Sequence, residues 1–226
     1  MFVDRAAVSA RLPDRRIALV GSGPGVLGNE PGLIDSHDVV IRVNNHLLID
    51  ESTGRRTDVH YSFYGSSIKK TACDLQTEGV ALCMCKCPNA KPIESRWHER
   101  MNKVHGIDFR YIYEARDGWW FCDTYVPTVD EFMAHFHLLG GHVPTTGFAA
   151  LLDVLSYAPA SVYMTGFDFF TSGRHNVTDR WKPGRPDDPI GHVPQIEAAW
   201  LRWNMHRHPI TVDRALARVL EGMPWK

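Results

Sequence analysis

The sequence predicts an α/β protein: one Rossmann-like domain over residues 1–226, with a mostly parallel sheet and helices on both faces. Three observations lead there. Short apolar runs alternate with segments of helical periodicity. The first of these runs ends directly in a glycine-rich turn. A chain of 226 residues is also long enough for a single core. At that size roughly 70% of the unfolded surface is buried on folding, so neither disulfides nor metals are required.

Ile17-Ala18-Leu19-Val20 reads as a buried parallel strand, because an apolar run that short and stopped by glycine leaves no room for a helix. Val39-Val40-Ile41-Arg42-Val43 is a second strand, followed by Asn44-Asn45. Further strands are expected over 59–63, 80–85, 109–113, 161–165 and 210–212. Between them the spacing predicts helices over 94–104, 129–139, 146–155 and 194–205. Phe132, Phe136 and Leu139 fall on one face of the second. Residues 171–191 break the alternation, with three prolines and three glycines among charged residues and no apolar period. They read as a long functional lid.

Composition narrows the function. The 25 basic and 26 acidic residues leave a formal charge of −1, which argues against a nucleic-acid partner. No apolar run approaches the ~18 residues of a membrane-spanning helix. Met1-Phe2-Val3-Asp4-Arg5 carries an acid where a signal peptide is basic. Five cysteines without an extracellular signature read as reduced thiols. The expected location is therefore the cytoplasm. Cys83, Cys85 and Cys87 alternate as on one strand face and lack the paired spacing of zinc ligands.

Gly21-Ser22-Gly23-Pro24-Gly25-Val26-Leu27-Gly28 follows the first strand. Glycines there let backbone amides approach a phosphate, although a plain strand-to-helix turn has the same composition. The run from Gly23 to Gly28 satisfies G-x-G-x-x-G, yet a dinucleotide site also needs an acid at the end of the next strand. Asn44 occupies that position, and Asp35 and Asp38 lie before the strand. That counts against NAD and weakens a methyltransferase reading. Pro144-Thr145-Thr146-Gly147-Phe148 opens the apolar helix with hydroxyls and free amides, as either an anion site or an ordinary N-cap does. The strand after it ends in Gly166-Phe167-Asp168, where the lid begins.

In this arrangement the chain resembles the sialyltransferases. Ala18 to Gly23, with Ile34-Asp35-Ser36-His37-Asp38-Val39-Val40-Ile41-Arg42-Val43-Asn44, is similar to the long sialyl motif of glycosyltransferase family 29. Pro144-Thr145-Thr146-Gly147, continuing to Val162-Tyr163-Met164-Thr165-Gly166-Phe167, is similar to the short motif. His192 and Glu197 match the spacing of the small terminal motif, and His175 stands in for the histidine of the remaining one. The compact bacterial family 42 enzymes look similar as well. Animal family members join their long and short motifs by a disulfide. The corresponding positions here lie near Ile17 and Ala158, so that bridge cannot form. Ser22 stands where the family has asparagine.

The resemblance implies a sialyltransferase-type, GT-A-like variant of the Rossmann-like fold. It also implies an inverting, metal-independent glycosyltransferase, without a cofactor, that moves sialic acid or a related nonulosonic acid from a CMP-sugar to a glycan or glycolipid hydroxyl. His192 would be the general base, a task suited to an unperturbed pKa of about 6.5. Glu197 would orient the base or the helix after it, and His175 would hold the departing phosphate. Gly21, Ser22, Gly23, Asn44, Thr145, Thr146, Gly147 and Asp168 would bind the donor. Contact with the inner face of a bacterial membrane would come through the acceptor. A CMP-Kdo transferase shares these features. A nucleotide-dependent oxidoreductase wants an acid after Val43, and a non-catalytic nucleotide-binding module differs only in lacking turnover. Trp119-Trp120-Phe121, Trp200 and Trp203 are candidate acceptor or partner surfaces, with core packing as the alternative.

Overall fold

The computed structural model describes residues 2–64, 68–88, 122–172 and 192–222. In chain order the elements are β1 (Phe2–Val3), α1 (Arg5–Ser9), β2 (Arg16–Val20), β3 (Val39–Val43), β4 (Val59–Ser62), α2 (Ala72–Thr77), β5 (Leu82–Cys85) and β6 (Asp123–Tyr125). They continue with α3 (Val129–Leu138), α4 (Thr146–Leu155), β7 (Ser161–Thr165), α5 (Pro194–Asn204), β8 (Ile210–Val212) and α6 (Arg214–Gly222). Two 3-10 turns, Pro24–Gly28 and Ile34–Ser36, lie between β2 and β3.

Among the described residues the strands form one sheet in the order β1-β6-β5-β4-β3-β2-β7-β8. Every neighbouring pair is parallel. After β1 on the edge beside β6, the chain enters the centre at β2, moves outward through β3, β4 and β5 to β6, then returns to the opposite flank of β2 for β7 and β8. The order therefore reverses between β2 and β7. In an open parallel sheet the carboxyl ends flanking such a reversal form the ligand crevice.

Alternation along the strands divides the core. Ile17, Leu19, Ile41, Val43, Val59, Tyr61, Leu82, Met84, Val162 and Met164 point to one face, where they pack with Val8, α4, Leu201 and Leu216. Every residue of α4 from Thr146 to Val154 is buried, which explains its nearly unbroken apolar run. The opposite face holds Ala18, Val20, Val26, Ile34 and Val40, and separately Tyr64, Leu75, Val80, Cys83 and Cys85. Fully buried polar groups, Arg42 and His60 among them, also project from β3 and β4.

The strands and helices expected over 17–20, 39–43, 59–63, 129–139, 146–155, 161–165, 194–205 and 210–212 all form, within a residue or two at their ends. The strand expected over 80–85 starts only at Leu82. The elements β1, α1, α2, β6 and α6 were not expected, being short or poor in apolar periodicity. The 94–104 helix, the 109–113 strand, Trp119-Trp120-Phe121 and residues 173–191 of the expected lid lie outside the described residues. The cysteines are free thiols. Cys83 and Cys85 share a face as the alternation requires, with Cys122 Sγ 3.4 Å from Cys83 Sγ, while Cys87 is buried beyond the strand end.

Candidate active site

The carboxyl ends of β2, β7, β3, β4 and β5 carry, in turn, Gly21-Ser22-Gly23, Gly166-Phe167-Asp168, Asn44, Ser62 and Lys86. The first two turns cross in close contact. Gly21 N–H donates to Thr165 O and Gly23 N–H to Gly166 O, both at 2.8 Å. A Cβ at Gly21 would lie 2.3 Å from Gly166 O, and one at Gly23 would lie 2.7 Å from it. Gly166 itself has a φ of 73°, in the left-handed region. These glycines were expected to open their amides to a phosphate. At Gly21 and Gly23 the reason is different: the amides are already taken, and glycine is needed so that two backbones can touch. Ser22 lies half-buried between them.

Asn44 also adopts a left-handed conformation, with φ 53°. His60 Nε2 donates to its carbonyl at 2.8 Å and Ser62 Oγ donates to its Oδ1 at 3.0 Å. Burial pushes His60 down to about 3, so the ring is neutral and its Nε2 carries the hydrogen. With Oδ1 accepting from Ser62, the amide nitrogen of Asn44 is the donor left for a ligand. The sequence shows this support as His60-x-Ser62 on one face of β4, a signal that gains meaning only once β4 is known to lie beside β3.

The turn before α4 is held from two sides. His192 Nδ1–H donates to Val143 O at 2.6 Å. A carbonyl can only accept, so the neutral ring has its lone pair on Nε2. Glu197, 1% exposed, receives Thr145 N–H at 2.5 Å on Oε1 and Thr145 Oγ1–H at 2.7 Å on Oε2. Burial pushes its carboxyl up to about 7 against these hydrogen bonds. Glu197 thus holds Thr145, whereas His192 is oriented by Val143. The expectation was that Glu197 orients the base or the helix after it; its two hydrogen bonds instead tie α5 to the N-cap of α4.

Thr145 Oγ1 also accepts from Phe148 N–H, capping α4. Its hydroxyl and amide are engaged, so it positions the turn instead of holding an anion directly. Thr146 and Gly147 are the first residues of α4, and their amides have no intrahelical acceptor. A Cβ on Gly147 would fall 2.3 Å from Phe167 Cε1, so glycine here admits the ring that follows β7.

Asp168 was expected among the donor ligands. Its carboxylate accepts instead from Phe170 N–H at 3.0 Å and Ser172 N–H at 3.2 Å. It braces a turn in which Phe169 and Phe170 both have positive φ. Asp213 was missed. It accepts from Thr165 Oγ1 and Gly166 N–H through Oδ2 and from Leu216 N–H through Oδ1. His175 lies outside the described residues. Trp200 packs edge-on against Phe148 with centroids 5.4 Å apart, as core packing predicts, whereas Trp203 is 63% exposed.

This eight-stranded parallel sheet, reversing at β2 and β7 with its candidate residues along the carboxyl ends, is a sialyltransferase-like fold. The chain is similar to the sialyltransferase CstII from Campylobacter jejuni in complex with the substrate analogue CMP-3FNeuAc, at 13% identity and TM-score 0.54, covering 88% of this chain and 81% of that one. It is similar to CstII with a trisaccharide acceptor and CMP, at 14% identity and TM-score 0.52 over 87% and 80% of the two chains. A mammalian sialyltransferase aligns at 18% identity and TM-score 0.53 over 88% of this chain and 68% of its own. No family model matches the sequence, and no curated protein matches it.

Proposed function

We propose that the protein is an inverting, metal-independent glycosyltransferase that transfers sialic acid or a related nonulosonic acid from a CMP-sugar to a glycan hydroxyl. The observation that carries this reading is His192. Its Nδ1–H donates to Val143 O, which fixes the ring at the turn before α4 and, in the neutral form, puts the lone pair on Nε2, the atom that would act as base. The likeness to structures solved with CMP, a CMP-sugar analogue and a trisaccharide supports the donor and acceptor classes.

In this reading Nε2 of His192 takes the proton of the acceptor hydroxyl as its oxygen attacks the anomeric carbon. The bond to the CMP phosphate breaks on the opposite face, inverting configuration. The phosphate gains negative charge, and hydrogen-bond donors fixed before the reaction stabilise it. In this reading Asn44 Nδ2, Ser22 and the first amides of α4 at Thr146 and Gly147 donate to it, and His175 is assigned to the same phosphate. Glu197, Thr145, Asp168, Gly21 and Gly23 act through the geometry they impose.

The test is CMP release from CMP-N-acetylneuraminic acid in EDTA, with a panel of glycan acceptors and with CMP-Kdo in parallel. Turnover is expected in the parent, with a loss of at least about 100-fold in His192→Ala while CMP binding persists. CMP binding without turnover on any acceptor would make the chain a binding module. Stabilisation by NAD instead of CMP would overturn the reading.

A further inference from the structure

Two thiols meet on the sheet face opposite α4, away from the residues of the scheme above. Cys83 lies on β5, and Cys122 immediately precedes β6, the strand that pairs with β5. Their sulfurs are 3.4 Å apart, in one cluster with Tyr64, Leu75, Val80 and Cys85. The two differ in access: Cys122 is partly exposed, whereas Cys83 is fully buried. With Cys122 ionised, the Cys83 S–H donates to it. That bond holds Cys122 below the ordinary thiol range and, together with burial, pushes Cys83 up. The accessible sulfur is thus the one that carries thiolate, and the buried one keeps its proton. An exposed attacking thiol beside a buried resolving thiol is the arrangement of an oxidation-sensitive pair.

The backbone lets the sulfurs close. β6 enters its ladder with β5 at Asp123, opposite Leu82, so Cys122 stands one residue before the paired stretch. That register sets Cys122 diagonally across from Cys83. The sulfurs must approach by about 1.4 Å to reach a disulfide bond of about 2.05 Å. Movement of that size at residue 122 leaves the pairs from Leu82–Asp123 to Met84–Tyr125 in place.

We propose that Cys83 and Cys122 are a site of reversible oxidation, joined as a disulfide by thiol exchange with a low-molecular-weight disulfide. The Cys122 thiolate attacks one sulfur of the oxidant R–S–S–R and breaks its S–S bond. The released R–S⁻ takes up the proton that Cys122 has lost. Cys83 then attacks the Cys122 sulfur, and the second R–S⁻ leaves with the Cys83 proton. Two protein thiols are oxidised, and one oxidant disulfide is reduced to two R–SH. The oxidant need not enter the core, because the buried sulfur already touches the exposed one. The bridge fastens β5 to the chain ahead of β6 and closes the span from 83 to 122 into a covalent loop. It is independent of the CMP-sugar reading.

The test is to treat the folded full chain with glutathione disulfide, block the remaining thiols with N-ethylmaleimide, and map its peptides by mass spectrometry without reduction. A peptide pair joining Cys83 to Cys122 is expected, and dithiothreitol should abolish it. Cys73 is the exposed thiol and reports that the oxidant has acted. In Cys83→Ala the glutathione adduct on Cys122 should persist, because the thiol that resolves it is gone. In Cys122→Ser the Cys83 peptide should carry only the maleimide. The proposal is overturned if Cys83 and Cys122 both remain free in the parent while Cys73 is fully modified. It is overturned equally if Cys122 keeps its adduct in the parent, or bridges to a cysteine other than Cys83. These parent readings stand even if a variant does not fold.

Discussion

At the scale of single residues, burial decides which charges this protein carries. Asp153 on α4 receives Tyr61 Oη–H at 2.5 Å and lies 3.4 Å from His135 Nε2, yet its burial pushes it up to about 7. Glu197 is raised to about 7 by the same cause. A carboxyl whose folded pKa exceeds its unfolded one contributes stability that is full below the unfolded value and is lost as pH rises through the folded value. For Asp153 that window runs from about pH 4 to about pH 7. Asp153→Asn removes the titration and keeps an acceptor for Tyr61. Its Tm relative to the parent should climb as pH rises from 4 to 8, with a gain on the order of 2 kcal/mol at the alkaline end. Parallel Tm curves for the two proteins would show that Asp153 stays ionised. His60 and His135 have the opposite sign. Burial lowers them to about 3 and about 4, so the stability they contribute is lost as pH falls below about 6.5. Position alone separated His192 from the other histidines in the sequence.

Among the elements, the crossing of the β2 and β7 turns sets the tightest constraint. Gly21→Ala forces a Cβ to within 2.3 Å of a backbone oxygen, which no side-chain motion relieves. It should cost about 3 kcal/mol, or roughly 10 °C in Tm. Gly28→Ala meets nothing within 4 Å and should leave the Tm unchanged, so the pair distinguishes close packing from a general need for glycine in this turn. Asp213→Ala leaves Gly166 N–H without its buried acceptor, removes the shorter of the two acceptors of Thr165 Oγ1 and uncaps α6, an expected cost of about 3 kcal/mol by denaturant melt. The central strands were legible because an apolar run such as Ile17 to Val20 has one physical explanation in a parallel sheet. The short strands β1 and β6 were not legible, since two or three residues carry no period and are defined by their partners alone. The glycines of the first turn were read as open to a phosphate because the sequence cannot show that Gly166 presses against them from another part of the chain. Glu197 was legible as important, but its partner Thr145 was not, because the two meet only when α5 packs beside the start of α4.

For the whole molecule, the sheet order follows from where apolar segments fall, while the site follows from which strand ends meet. β2 is central and its two neighbours come from opposite halves of the sequence: β3 follows it almost at once, and β7 arrives only after β6, α3 and α4. That placement has a kinetic consequence. During synthesis β2 and β3 can pair early, but the second edge of β2 stays bare until β7 has emerged, and a bare apolar edge is a template for mispairing. The crossing glycines cannot meet before then, so the crevice is among the last parts of the protein to form. Refolding should show a slow phase that tracks, in the proposed function, the appearance of CMP binding, with most helical signal regained earlier. A nascent chain stopped before residue 161 would carry both the glycine turn and the α4 N-terminus without the strand that brings them together, making it a substrate for chaperones with its crevice still unformed.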